Sequence, residues 1–148
     1  MILISACLAG VNCKYSGDNN YNEKVANLLK RGDAILICPE QMGGLPTPRL
    51  GAEIVEKDGK RYVYMKDGTD VTEQFERGAN EVLEIAKKVN ATKAILKSRS
   101  PSCGVDIIYD GTFTKTKIDG DGVTAKLLRE NGIEVISSDD FIEGKIDI

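Results

Sequence analysis

Four short stretches of the chain are dominated by apolar residues: Ile2-Leu3-Ile4-Ser5-Ala6, Ala34-Ile35-Leu36-Ile37, Ala94-Ile95-Leu96-Lys97 and Ile133 to Ile136. Short, nearly continuous apolar runs are what strands buried on both faces of a parallel sheet require. Helical patterns lie between them. Val25, Leu28 and Leu29 form a stripe that Gly32 stops, and Phe75, Ala79, Val82, Ala86 and Val89 share one face of a helix over Asp70 to Val89. Asp70 and Glu73 are spaced as a capping box for that helix. A third helix runs from Asp121 to Asn131, with Gly132 beyond its end. Residues 53–65 read as a hairpin that turns at Lys57-Asp58-Gly59-Lys60. The order β-α-β-hairpin-α-β-α-β predicts an α/β fold: a three-layer sandwich with a mainly parallel central sheet, Rossmann-like or flavodoxin-like, and an inserted β-hairpin. At 148 residues the chain reads as a single domain over 1–148.

The pattern breaks in three places, and each break holds cysteine. Cys7 to Tyr21 and Ser98 to Gly120 are longer than strand-to-helix connections need, an excess that is usually functional when it is ordered. The segment from Cys38 to Arg49 carries all but one of the prolines and reads as irregular chain throughout. Cys7, Cys38 and Cys103 therefore each follow a strand. In an open parallel sheet the carboxyl ends of the strands face one crevice, where such folds bind ligands. Buried cysteines often serve only as small apolar residues. Three that leave three strand ends point instead to a sulfur-bound metal or cluster.

Composition narrows the chemistry. There is no histidine, which excludes Ser-His-Asp and Cys-His catalysis and every His-bearing zinc, haem or Rieske site. A net charge of −3 argues against a general nucleic-acid binder and leaves a small-molecule substrate. The apolar start of the chain is too short for a membrane span and lacks the basic region of a secretory signal, so the chain reads as cytoplasmic, where thiols stay reduced. Thiolate-rich sites suit zinc or an iron-sulfur cluster. Structural zinc favours closely paired cysteines, which are absent; dispersed cysteines suit a cluster better. With four thiolates a 4Fe-4S cluster is saturated, whereas with three one iron stays open as a Lewis acid, so the role of Cys13 decides the chemistry. Glu40, two positions after Cys38, is a candidate proton acceptor or donor. Lys97-Ser98-Arg99-Ser100 brings cations and hydroxyls toward Cys103 to offset cluster charge or hold an anionic substrate. Asp121 reads as the N-cap of the third helix.

Assembled, these residues form long motifs in a fixed order. They are Ser5-Ala6-Cys7-Leu8 with Gly10 and Cys13-Lys14-Tyr15; Cys38-Pro39-Glu40-Gln41 with Gly43 to Arg49; Lys97 to Gly104; and Tyr109 to Phe113 with Gly120 to Ala125. In these the chain resembles the bacterial and archaeal family of iron-sulfur-dependent thiouracil desulfidases over almost its whole length. The resemblance implies a 4Fe-4S cofactor held by Cys7, Cys38 and Cys103, with Cys13 as an extra thiol. It implies non-redox desulfuration of a thiolated pyrimidine or a related small thiocarbonyl compound, in which the open iron binds the substrate sulfur and a water replaces it. Glu40 then moves the proton, and a serine orients water or substrate; Ser100 is the assignment, with Ser98 and Ser102 as alternatives. Ser16 departs from the family pattern, in which an acidic residue commonly follows the aromatic. The competing reading is a non-catalytic iron-sulfur or zinc-binding protein that carries or senses sulfide.

Overall fold

The computed structural model describes residues Met1–Ile148. Strand β1 (Ile2–Ser5) leads through a 3-10 turn (Ala6–Ala9) and a loop to α1 (Glu23–Lys30) and then β2 (Ala34–Ile37). A one-turn helix α2 (Pro39–Met42) precedes the hairpin β3 (Ala52–Lys57) and β4 (Lys60–Met65), and the long helix α3 (Thr72–Lys88) returns the chain to β5 (Lys93–Leu96). The remainder comprises the small pair β6 (Ile107–Tyr109) and β7 (Lys117–Asp119), helix α4 (Val123–Glu130), strand β8 (Glu134–Ser137) and helix α5 (Ser138–Ile142).

The central sheet has the order β2-β1-β5-β8 and is parallel throughout. Its inner strands β1 and β5 are buried on both faces, the edge strands β2 and β8 only in part, and alternation sorts their side chains into two cores. Leu3, Ala94 and Leu96 pack with Val82, Leu83 and Ala86 of α3 and Ala125 and Leu128 of α4. Ile2, Ile4, Ile95 and Ile136 pack on the opposite face with Val25 and Leu28 of α1 and Phe141 of α5. This is the three-layer sandwich the apolar pattern predicts. Fully burying each such aliphatic side chain contributes about 1.5–3 kcal/mol, so the strand ends are held by the most stable part of the molecule. The chain departs from β1 toward β2 on one side and toward β5 on the other, which makes the carboxyl ends of β1 and β5 the switch point where such sheets open a crevice.

Several local expectations are corrected. The segment after Cys38 is not irregular throughout: it begins with α2, because Pro39 stands at the first helical position, where its fixed φ and missing N–H cost nothing. Gly43, at the end of this turn, and Gly78 of α3 let the two backbones nest. A Cβ on Gly43 would stand 1.9 Å from the Gln74 carbonyl oxygen, and one on Gly78 would stand 1.9 Å from the Pro39 carbonyl oxygen. The Asp70/Glu73 capping box does not form. Asp70 instead accepts from the Thr72 backbone N–H (2.9 Å) and hydroxyl, and α3 starts at Thr72. Asp121 does not cap α4, whose N-cap is Gly122. Its carboxylate accepts from the Asp106 N–H at 2.8 Å and pairs with Arg129 at 3.0 Å, tying the long loop to the helix. The pair β6–β7 and helix α5 carry too few periodic positions to be read from the sequence. No helix is long and apolar enough to cross a membrane.

Candidate active site

All four cysteines line one cavity of about 500 Å³ at the carboxyl ends of β1, β2 and β5. Three routes bring them there. Cys7 sits in the 3-10 turn directly after β1; its carbonyl accepts from Gly10 N–H (3.2 Å) and Asn20 N–H (2.9 Å), and the Asn20 side chain donates to its Sγ at 3.4 Å. Cys38 is the N-cap of α2, fixed by the nesting of that helix on α3. Cys103 comes later in its loop, where Ser100 Oγ accepts from the backbone N–H groups of Ser102 (3.2 Å) and Cys103 (3.0 Å) and holds the turn closed. A Cβ on Gly122 would meet the Ser102 carbonyl carbon at 2.5 Å, so the start of α4 presses directly on this turn.

The thiols differ electrostatically. Cys13 donates to both Cys7 and Cys38, and this donation is the main cause lowering Cys7 to about 6 and Cys38 to about 7 against the opposing cost of burial. Asn20 adds to the effect on Cys7, and a backbone N–H contribution from Gln41 adds to that on Cys38. Cys13 itself is pushed up, because loss of its proton would break both bonds. Cys103 is pushed up to about 12, chiefly by burial. Cys7 and Cys38 are thus shifted toward the thiolate, and Cys13 and Cys103 toward the thiol.

Glu40 connects the two sides. Its Oε1 pairs with Arg49 Nε at 3.4 Å, and its Oε2 accepts from the Ser102 hydroxyl at 3.3 Å. The Arg49 side chain is almost fully buried, and its Nη2 donates to the Cys13 carbonyl at 2.9 Å. Ser102 is itself 1% exposed, with Oγ 3.6 Å from Cys103 Sγ and 3.1 Å from Ser100 Oγ. Because two backbone N–H groups already fill the acceptor sites of Ser100, Ser100 donates to Ser102 and Ser102 to Glu40. A hydroxyl chain thus runs from the turn before Cys103 to the carboxylate after Cys38.

The sequence-assigned residues Cys7, Cys38, Cys103, Glu40 and Ser100 all reach the cavity wall. Ser98 is diverted: its hydroxyl contacts Ser138 Oγ at 3.1 Å and accepts from Asp139 N–H, which fastens the loop to α5. Arg99 pairs with Asp139, whose carboxyl it holds below the usual range. Lys97 keeps its place in the wall, donating to the Ser98 carbonyl at 3.1 Å, with its amine pushed down by burial and by Arg99. Lys14, Lys66 and Lys115 join it in the lining. Sequence reasoning left Arg49, quoted only as the end of a motif, and Asn20 without roles in the site, since each acts through a fold-back of its own loop. No group of three or more Cys, Asp and Glu side chains is gathered closely enough to hold a single metal ion.

A parallel sheet opening on a thiol-lined cleft, with a carboxylate and a hydroxyl chain beside it, defines an α/β protein built for sulfur or metal-sulfur chemistry. The family model described as 2-thiouracil desulfurase matches residues 2–140, and the chain belongs to that family. It is 44% identical over 147 residues to the uncharacterized protein YbbK of Bacillus subtilis (strain 168), spanning 95% of this chain and 97% of that one. A solved structure described as the 4Fe-4S-dependent thiouracil desulfidase TudS superposes with a TM-score of 0.87 at 40% identity, covering 96% of this chain and 93% of the other.

Proposed function

We propose that this protein is a 4Fe-4S-dependent desulfidase that removes sulfur from a thiolated pyrimidine such as thiouracil, or from a related small thiocarbonyl compound, with Cys7, Cys38 and Cys103 holding the cluster. The observation that carries the reading is the convergence of these thiols from three strand ends on one cavity beside Glu40. The donor set fits the group: thiolate is the ligand such clusters take, Cys7 and Cys38 are already lowered to about 6 and 7, and the lysines of the wall offset anionic charge.

The net reaction exchanges one sulfur for one oxygen: thiocarbonyl and water give carbonyl and hydrogen sulfide, with no electrons to supply. When bound through three thiolates, the cluster offers an iron with a free position as a Lewis acid for the substrate's sulfur. The protein supplies the rest. Glu40 accepts the proton of the incoming water, with Arg49 beside it fixing the carboxylate's orientation. Ser100 and Ser102 align the acceptor and the water through their hydroxyl chain. Lys97 and its neighbours favour a substrate that carries or develops negative charge.

Anaerobic reconstitution with iron and sulfide is expected to give a brown protein with about four irons per chain. Incubated with 4-thiouracil, it should remove the thiocarbonyl absorbance over many turnovers and release hydrosulfide in equal amount. A colourless protein that takes up only stoichiometric zinc overturns the cluster. A brown protein that binds sulfide but leaves thiouracil intact points instead to a sulfide carrier or sensor.

A further inference from the structure

The motif Tyr109-Asp110-Gly111-Thr112-Phe113 has no part in the chemistry assigned above, yet Tyr109 and Phe113 line the cavity. It lies in an arch that joins β6 to β7 and is closed by the Asp110 N–H donating to the Thr116 carbonyl at 2.9 Å. The side chains of the arch divide. Asp110 accepts from the Thr112 N–H (3.0 Å) and hydroxyl (2.6 Å), and the hydroxyls of Thr112, Thr114 and Thr116 meet at 2.5 and 2.8 Å on the solvent side. Phe113, between the first two threonines, is half-buried on the cavity side.

Phe113 is held there against its backbone preference. Its φ is +59°, in the left-handed region that a bulky side chain seldom takes. Two bonds fix it: the backbone N–H groups of Gly111 and Phe113 both donate to Glu53 Oε1, at 3.0 and 3.1 Å, and so tie the arch to β3. Gly111 brings the two backbones together, since a Cβ on it would stand 2.7 Å from the Ile54 carbonyl oxygen. A packing residue would spend this restraint on a core. Phe113 belongs to none of the three hydrophobic cores, including the one formed by Leu45, Ile54, Val63 and Phe75 against the same hairpin. Nor does it stack on another ring or carry a cation, for the stacked pair is Tyr62 with Tyr64 and the lysines sit over Tyr15, Tyr64 and Phe141. An aromatic ring is thus fixed on the cavity wall without a partner in the protein.

We propose that Phe113 is a specificity-determining residue whose ring is the platform for the flat, conjugated ring of the substrate, and that Glu53 is the positioning residue that sets this platform through the arch backbone. The proposal rests on the desulfidase reading above and narrows its substrate class to thiocarbonyls carried on a planar unsaturated heterocycle. Saturated and acyclic thiocarbonyls lack the face that stacks. An aromatic contact of this kind accepts any heterocycle with a π-face and leaves orientation to the polar groups of the wall.

The test uses the reconstituted full chain with 4-thiouracil as substrate and with uracil and 5,6-dihydrouracil as competitive inhibitors. The two inhibitors carry the same N–H and C=O groups, but the second is puckered and has no conjugated face. Wild-type protein is expected to bind uracil about tenfold more tightly than dihydrouracil. Phe113→Leu fills much the same space without a π-face. It should raise KM for 4-thiouracil and Ki for uracil about three- to tenfold and bring the two inhibitors within about twofold of each other, while kcat and iron content hold. Glu53→Ala should raise KM in the same way, and Glu53→Gln, which keeps an acceptor oxygen for the two N–H groups, should restore it. An unchanged KM in Phe113→Leu overturns the proposal, as does equal inhibition of the wild type by both compounds or a fall in kcat at constant KM. Glu53→Gln as impaired as Glu53→Ala removes Glu53 from the positioning role. Thermal unfolding checks each variant; if Glu53→Ala does not fold, Phe113→Leu decides. Wild-type protein that takes up no cluster, or leaves 4-thiouracil intact, overturns the functional reading instead. Saturation-transfer NMR of uracil on the chain then reads the platform alone: a signal lost in Phe113→Leu supports it, and a signal kept there overturns it.

Discussion

Cys38 and Cys103 face the same cavity from opposite kinds of structure. Cys38 leaves β2 directly and caps a helical turn whose backbone is pressed onto α3, so regular elements place it. Cys103 ends a turn after β5 that is closed by the Ser100 hydroxyl and backed by the bare backbone at Gly122. The first is a partly exposed thiol lowered to about 7 by the donation from Cys13; the second is buried and pushed up to about 12. A site can thus draw one thiol from the sheet and another from a loop, provided that something keeps them in register. Glu40, bonded to Arg49 on the Cys13 side and to Ser102 on the Cys103 side, is that link.

The contrast between the thiols is sharpest in the apo protein. The thiolate is the reactive form, so an ordinary thiol near pKa 8.5 is mostly inert at pH 7. Cys7, lowered to about 6, is mostly ionised there, and Cys103, at about 12, is ionised only to roughly one part in 10⁵. Iodoacetamide labelling read by peptide mass spectrometry should mark Cys7 and Cys38 well before Cys103. The sign follows from the direction of the shift: labelling of Cys7 falls away as pH drops through about 6, because protonation removes the nucleophile. Labelling of Cys103 first, or a Cys7 midpoint above pH 8, refutes the division.

Cutting the link is expected to cost most in turnover. Glu40→Gln keeps the shape and a hydrogen-bonding oxygen but removes the charge that would take a proton in the proposed reaction. Loss of a general base typically costs about 10²- to 10⁴-fold, here in the rate of hydrosulfide release, with iron content unchanged. Full activity in the variant removes Glu40 from proton transfer.

Next come the two close approaches of backbone. Gly78→Ala forces α2 off α3 and should disturb Cys38; Gly122→Ala forces α4 off the Ser102 carbonyl and should disturb Cys103. Overpacking of this kind costs about 1–3 kcal/mol, which for a chain of this size lowers Tm by several degrees. Because Cys103 is held by a loop turn alone while Cys38 is held by regular elements, Gly122→Ala should lose more iron than Gly78→Ala at equal loss of Tm. The reverse order, measured by iron analysis and thermal unfolding, breaks the comparison.

Legibility in the sequence follows the same division. The sheet strands and the long helix carry their own periodicity, so Leu3, Ala94, Val82 and Ala86 announce the core they share. Cys7 and Cys38 adjoin strands and are placed with them. The other half of the site is built by contacts between distant positions that no local pattern encodes. Asp121 reads as a helix cap because aspartate before a helix usually is one; here the competing bonds to Asp106 N–H and Arg129 win. Arg49 reaches Glu40 and Cys13 only because its loop folds back over the cavity. Among the three serines before Cys103, spacing alone does not say which hydroxyl is free; the structure engages Ser98 with Ser138 and Asp139 and brings Ser102 to Glu40.

That last difference yields the smaller expected effect on turnover and separates positioning from proton handling. Ser102→Ala removes the only hydroxyl that touches both Glu40 and Cys103, at about 1.5–3 kcal/mol for a hydrogen bond to a charged group, or roughly a ten- to hundredfold fall in turnover. Ser100→Ala leaves the backbone N–H groups of Ser102 and Cys103 without their acceptor, so it loosens the turn itself. The two should therefore fail differently: Ser102→Ala lowers kcat while Tm and iron content hold, whereas Ser100→Ala lowers Tm and iron content together with activity. If Ser100→Ala instead lowers kcat alone, the Ser100 hydroxyl acts on the reacting groups directly. The hydroxyl chain would then end at substrate rather than beginning at the turn.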